Sequence, residues 1–153
     1  MKKAILHQYQ QLVDKAASQV TEVTVPPEGW LKTLRKSLGM SGAQLARLLG
    51  VTRAQIAQSE RNELSGAITL RTMHTMAAAM GCRVVYAIVP AGKVEDLLVK
   101  RVNDKARQVM DKVNTHMALE AQALNEERRA YELTRLEQEL LRDMPSDLWD
   151  DVK

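Results

Sequence analysis

Apolar side chains recur at Ile5, Leu6, Tyr9, Leu12, Val13 and Ala16, a three-and-four spacing that gathers them on one face of a helix over 3–18. The rhythm then shifts to the alternation of VTEVTV (20–25), a strand pattern. It stops at Pro26-Pro27, where the backbone has no N–H to donate. A helical pattern returns from Glu28 to Leu38 and ends at Gly39. Ser41 then opens a helix through Leu49, Gly50 breaks it, and Thr52 opens another to about Asn62. Ser and Thr suit these positions because their side-chain oxygens accept from first-turn amides. LSGAI (64–68) reads as a loop, and Thr69 opens a further helix that closes at Met80-Gly81. CRVVYAIVP (82–90) is apolar on both faces, so it predicts a short β-strand that needs cover on both sides.

After Gly92 the pattern is helical again, with a stripe through Leu98, Val102, Ala106, Val109, Val113, Met117 and Leu124. The stripe is lost at NEERR (125–129) and resumes on another face through Leu133, Leu136, Leu140 and Met144, which predicts two helices, or one helix that changes partners. Pro145 ends the pattern before SDLWDDVK. The expected organisation is mainly α. An N-terminal helical and strand arm with linker (1–27) precedes a small helical domain (28–81), a β-strand (82–90) and a helical C-terminal extension (91–153).

Composition sharpens this picture. Hydrophobic residues make up 45% of the 153 positions but include no Phe, so Leu, Val, Ala and Met must fill the core, which favours helices. No apolar run is long enough to cross a bilayer. MKKAILHQYQQL lacks the apolar stretch and cleavage site of a secretory signal. A single cysteine, Cys82, permits no internal disulfide, and the expected compartment is the reducing cytoplasm, with no membrane partner. His7, His74 and His116 form no ligand-spaced set with Cys82, and no glycine-rich phosphate loop or nucleophile–base arrangement occurs. We therefore expect no metal, no cofactor and no catalysis.

The net charge of +3 conceals an asymmetry. Between Trp30 and Arg83 eight basic residues face only Glu60 and Glu63, whereas from Val94 onward ten basic residues stand against fourteen acidic ones. A basic centre predicts an anionic partner.

QLARLLGVTRAQIAQSE (44–60) lies in that centre and meets the requirements of a helix-turn-helix. Ala46 is small where a second helix must cross closely, and Gly50 accepts positive φ between the helices. Leu45, Leu49, Val51 and Ile56 supply apolar anchors, and Thr52, Arg53, Ala54, Gln55 and Gln58 offer polar and basic side chains near the second helix N-terminus.

These residues carry a resemblance. Residues 30–81, and within them LGMSGAQLARLLGVTRAQIAQSERN, resemble the Cro/lambda-repressor-type helix-turn-helix domains, also called the xenobiotic-response-element class. The resemblance implies a structural ion pair between Arg35 and Glu60. It also implies DNA contacts from Arg53, Ala54 and Gln58 to base edges, from Ser41, Gln44, Thr52 and Gln55 to phosphates, and a further DNA contact from Arg61. Arg can pair with guanine O6 and N7, Gln with adenine N6 and N7, and Ala with a thymine methyl. Gly42 departs from the glutamine usual at its position, and Ser59 from an apolar core residue.

EGWLKTLRKSLGMS, SGAITLRTMHTMAAAMGCRVVYAIVP, HMALEAQ (116–122) and DLWDD together resemble the family called mobile mystery protein A. That resemblance implies a bacterial, nucleoid-associated, autoregulatory repressor that acts as the antitoxin-like partner of a Fic-domain toxin protein on a mobile element. Its alternatives are a stand-alone regulator of such an element, or a protein-binding inhibitor whose helix-turn-helix is only scaffold. One such module contacts little DNA, so a homodimer on a double-stranded operator is expected. Residues 82–90 could pair with their own copy or with VTEVTV, the stripe from Leu98 to Leu124 could pack on its mate, or both could complete a monomer core. Leu148 and Trp149, within an acidic rim, either meet a partner protein or fold back on the last helix.

Overall fold

A computed structural model describes residues 3–119 and 126–151, with side chains at all of these except 114 and 116–119. The described residues form seven helices: α1 (Lys3–Val20), α2 (Trp30–Ser37), α3 (Gly42–Leu49), α4 (Arg53–Ser65), α5 (Leu70–Ala79), α6 (Val94–Leu119) and α7 (Glu126–Asp143). None of these helices is long and apolar enough to cross a membrane. The chain divides into two compact units, one of Val20–Ala87 and one of Met1–Gln19 with Ile88–Lys153.

The first unit holds α2 to α5 around Leu31, Leu45, Ala46, Ile56, Met76 and Met80, with Leu34, Met40, Leu49, Ile68 and Met73 packed at the edge of this core. The apolar positions at three-and-four spacing in each helix converge here, and short capped connections keep the four helices together. The entry to α2 is built from distant parts of the chain. The Glu63 carboxylate near the end of α4 accepts from the backbone N–H of Trp30 (2.6 Å) and of Leu31 (2.9 Å). It thus satisfies two amides that a helix N-terminus leaves without partners. Gly29 makes this approach possible. Its φ of 82° and ψ of 162° belong to a region that only glycine occupies readily, and a Cβ there would stand 2.9 Å from Glu63 Oε2.

In the second unit Val102, Ala106 and Met110 of α6 form a buried stripe, and Leu148 is also buried, at 1% exposure. The turn that carries Leu148 is held by cations on α6. Arg101 donates to the Leu148 carbonyl (2.7 Å) and the Asp150 carbonyl (2.9 Å). Lys105 is buried and donates to the carbonyls of Asp147 (2.9 Å) and Asp150 (2.7 Å). Asp14 of α1 accepts from the backbone N–H of Val94 at 2.9 Å and so caps α6. No residue of α1 is buried, and Ile5, Tyr9 and Leu12 face solvent.

Three expectations need correction. Residues 82–90 form no ladder, because no strand among the described residues lies beside them, and Val85, Tyr86 and Ile88 remain 73%, 66% and 89% exposed. VTEVTV is not a strand either: Val20 completes α1, and Val23 N–H turns back onto the Val20 carbonyl at 2.9 Å. Leu148 is not an exposed partner anchor, because it is buried within the chain. Trp149 stays 63% exposed, with the Arg101 guanidinium 5.7 Å from its ring centroid. Leu124, Asn125 and residues 120–122 of HMALEAQ lie outside the described residues.

Gly29→Ala should lower stability by about 1–3 kcal/mol, the cost of a side chain in that backbone region, as measured by urea unfolding. Leu148→Ala should cost about 2–5 kcal/mol in the same assay. A near-neutral result would mean that the terminal turn is not part of the core.

Candidate nucleic-acid interface

Two helices and a three-residue turn form the centre of the first unit. Ser41 and Thr52 each begin a helix with a reciprocal pair of bonds. Ser41 Oγ accepts from Gln44 N–H (3.1 Å) while Gln44 Oε1 accepts from Ser41 N–H (2.7 Å). Thr52 Oγ1 accepts from Gln55 N–H (3.2 Å) while Gln55 Oε1 accepts from Thr52 N–H (2.8 Å). These capping boxes fix where α3 and α4 start. Gly50 ends α3 in the left-handed region (φ 66°, ψ 31°), and the next amide, of Val51, returns to the Ala46 carbonyl at 3.0 Å. Leu45, Ala46 and Ile56 are buried at the crossing, Leu49 is half-buried, and Val51 lies at the surface.

The inner face of α4 carries Ile56 and Glu60, both buried. Arg35 of α2 grips the Glu60 carboxylate with both arms of its fork, Nε to Oε1 at 2.6 Å and Nη2 to Oε2 at 3.0 Å. Its third group, Nη1, donates to the Met40 carbonyl at 3.0 Å. The bond to Glu60 holds the Arg35 guanidinium above its already high ordinary range, with burial working in the opposite direction. This bidentate geometry is the strong form of an ion pair.

The outer face of α4 presents Arg53, Ala54, Gln55, Gln58 and Arg61, all exposed. Gln58 is held on both sides: its Nε2 donates to Asn62 Oδ1 (2.8 Å), and its Oε1 accepts from Arg61 Nη2 (2.8 Å). The terminal amide therefore stands in a defined orientation. Ser41, Gln44 and Thr52 are exposed at the starts of α3 and α4, with Ser41 and Thr52 as N-caps. Leu148 and Trp149 belong to the other unit.

Three participants escape a reading of sequence spacing. Asn62 is visible only as an i,i+4 partner of Gln58. Arg71, exposed in the first turn of α5, lines the same groove as Gln55 and Gln58. Glu63 is occupied at the start of α2, more than thirty residues away. The groove has a volume of about 410 Å³ between α4 and α5, with Leu49, Val51, Ile56, Ser59 and Met76 on its walls. Ser59 is too small to fill it, which is the local consequence of a hydroxyl where an apolar residue would pack. Gly42 leaves the Arg53 stem beside the first turn of α3, where a methyl would meet Cγ at an ordinary 3.7 Å.

The electrostatic outcome follows from these contacts. Glu60 and Glu63 are the only acidic residues between Trp30 and Arg83, and both carboxylates turn inward onto α2. Arg47, Arg53, Arg61, Arg71 and Arg83 remain exposed.

Residues 31–86 match the profile of a helix-turn-helix family of the Cro/C1 type. No curated protein and no solved structure matches the chain. The chain thus carries a helix-turn-helix domain of a kind associated with DNA binding and transcription regulation.

Replacing either partner of the ion pair alone, Arg35→Met or Glu60→Leu, should cost about 2–3 kcal/mol, since a charge is left without its bonds in a mostly dry place. The double variant should recover most of that loss, and a double-mutant cycle by urea unfolding reads the difference.

Proposed function

We propose that the chain is a sequence-specific transcription repressor that lays α4 in the major groove of an operator. Arg53, Ala54 and Gln58 read base edges there. Ser41, Gln44, Thr52 and Gln55 sit at helix starts where amides and side-chain donors meet phosphates, and Arg61 and Arg71 add charge on either side. The observation that carries this reading is the inward turn of both acidic side chains, which leaves the polar face of α4 among exposed arginines. A DNA backbone approaching that face meets no competing carboxylate from residues 30–83.

Within this reading the protein acts as a homodimer and represses its own promoter. The resemblance of EGWLKTLRKSLGMS, SGAITLRTMHTMAAAMGCRVVYAIVP, HMALEAQ and DLWDD to mobile mystery protein A, from about residue 29 onward, supports a finer role as the antitoxin-like partner of a Fic-domain protein on a mobile element. The reading includes no catalytic step. Reading the open reading frame beside its gene and co-purifying any Fic-domain protein encoded there tests the finer role, and the absence of such a protein or of association would leave a stand-alone regulator.

Fluorescence anisotropy on DNA from upstream of the protein's own gene tests the main reading. Arg53→Ala and Gln58→Ala should each lose about 1–3 kcal/mol of binding, with specificity relaxed at one base pair. Affinity should fall steeply between 50 and 200 mM salt, by about 10³ or more if six or more phosphates are contacted. Wild-type affinity in both variants, with little salt dependence, would return the helix-turn-helix to the role of scaffold.

A further inference from the structure

Gln58 does not project from α4 as a free side chain. Its Oε1 accepts from Arg61 Nη2 at 2.8 Å, and its Nε2 donates to Asn62 Oδ1 at 2.8 Å. A guanidinium has only hydrogens to give, so the atom of Gln58 that faces Arg61 must be the oxygen. The nitrogen then lies toward Asn62, whose oxygen receives one of its two hydrogens. We infer that Asn62 is a specificity-determining residue of the DNA face. Without touching a base, it holds the Gln58 amide in the orientation that matches adenine and rejects guanine. This rests on the placement of Gln58 at a base edge proposed above, and names the residue that sets what Gln58 can read.

A primary amide carries two hydrogens and two lone pairs. With one of each engaged within α4, Gln58 keeps one N–H and one lone pair for a partner outside. In the major groove adenine presents N7 as an acceptor and N6–H as a donor, so both remaining groups are satisfied. Guanine presents two acceptors, N7 and O6. A free glutamine can turn its nitrogen toward both of them. Gln58 loses its bonds to Asn62 and Arg61 if it does so, and if it stays, its Oε1 faces O6 with no hydrogen between them.

Asn62 is itself a fixed point. It is half-buried, one turn beyond the exposed Gln58 and on the same side of α4. Its carbonyl accepts from the Ala67 N–H (2.9 Å) and the Ile68 N–H (3.1 Å), where the chain turns toward α5. Glu60 and Glu63 on either side of it are bonded to α2. The acceptor offered to Gln58 is therefore anchored to α2 and to the turn before α5, and the reading amide is ordered before DNA arrives. Arg61 keeps further N–H groups in its fork, so its charge stays available to a phosphate.

The test uses the full chain and a duplex that the wild type enriches from a random pool. Fluorescence anisotropy compares versions of this duplex that differ at the base pair whose preference Gln58→Ala abolishes. The wild type should prefer adenine to guanine there by about 5- to 150-fold. Asn62→Ala should narrow that ratio by about 2- to 10-fold, the effect of releasing one ordered side chain. Its salt dependence, its preferences at other base pairs and its urea midpoint should stay close to wild type. Asn62→Asp keeps an acceptor, so it should retain the ratio while binding every duplex more weakly through its added charge. In a Gln58→Ala background, Asn62→Ala should change nothing further. An unchanged ratio in Asn62→Ala would overturn the positioning role and leave the repressor reading intact. Equal narrowing in the alanine and aspartate variants, or an effect of Asn62→Ala that persists without Gln58, would do the same. A wild-type preference for guanine, or no preference lost in Gln58→Ala, would overturn this inference together with the role of Gln58, leaving Arg53 as the reader. A wild type that enriches no sequence would overturn both this inference and the repressor reading.

Discussion

The helix-turn-helix of this protein depends on two carboxylates three residues apart on α4 that both reach α2. Glu60 binds a side chain and Glu63 binds the helix start, so α4 is fastened along its length rather than at one point. Hydrophobic packing around Leu45 and Ile56 brings the helices together but has no direction of its own. The carboxylate bonds supply direction, setting how α4 is rotated about its axis and therefore which side chains face outward. Breaking the Glu60 bonds carries the larger penalty, because its buried carboxylate has few water molecules to replace the partner, whereas Glu63 is half-buried.

Local chemistry is legible in the chain. Ser41, Thr52 and Thr69 each announce a helix start, Gly50 announces the turn, and the inner positions of α3 and α4 follow from apolar spacing, because each acts on residues within a turn or two. What escapes is non-local. Gly29 requires its conformation because of a carboxylate in another helix, and nothing near residue 29 records that. Ser59 is recognisable as a departure, but the groove it leaves depends on where α5 passes.

The strand and the tail show two other limits. Residues 82–90 are apolar on two faces, but a pattern does not name the second strand, and no described residue of the chain supplies it. At the C-terminus the acidic side chains draw attention to an exposed rim, yet Arg101 and Lys105 are satisfied largely by main-chain oxygens. Any sequence that folds into such a turn presents those oxygens, so composition gives no sign of them. Trp149 beside them is visible as a landmark, while the neighbouring Leu148 is the residue that is buried.

The two capping boxes are closed by glutamine. Glutamate closes such a box equally well and is the commoner choice where a helix simply faces water. Here it would add a full negative charge to each helix start, at the points nearest an approaching polyanion. The neutral amide secures the first turn with its oxygen and keeps its nitrogen in reserve, so a single residue type reconciles internal order with external hospitality to phosphate.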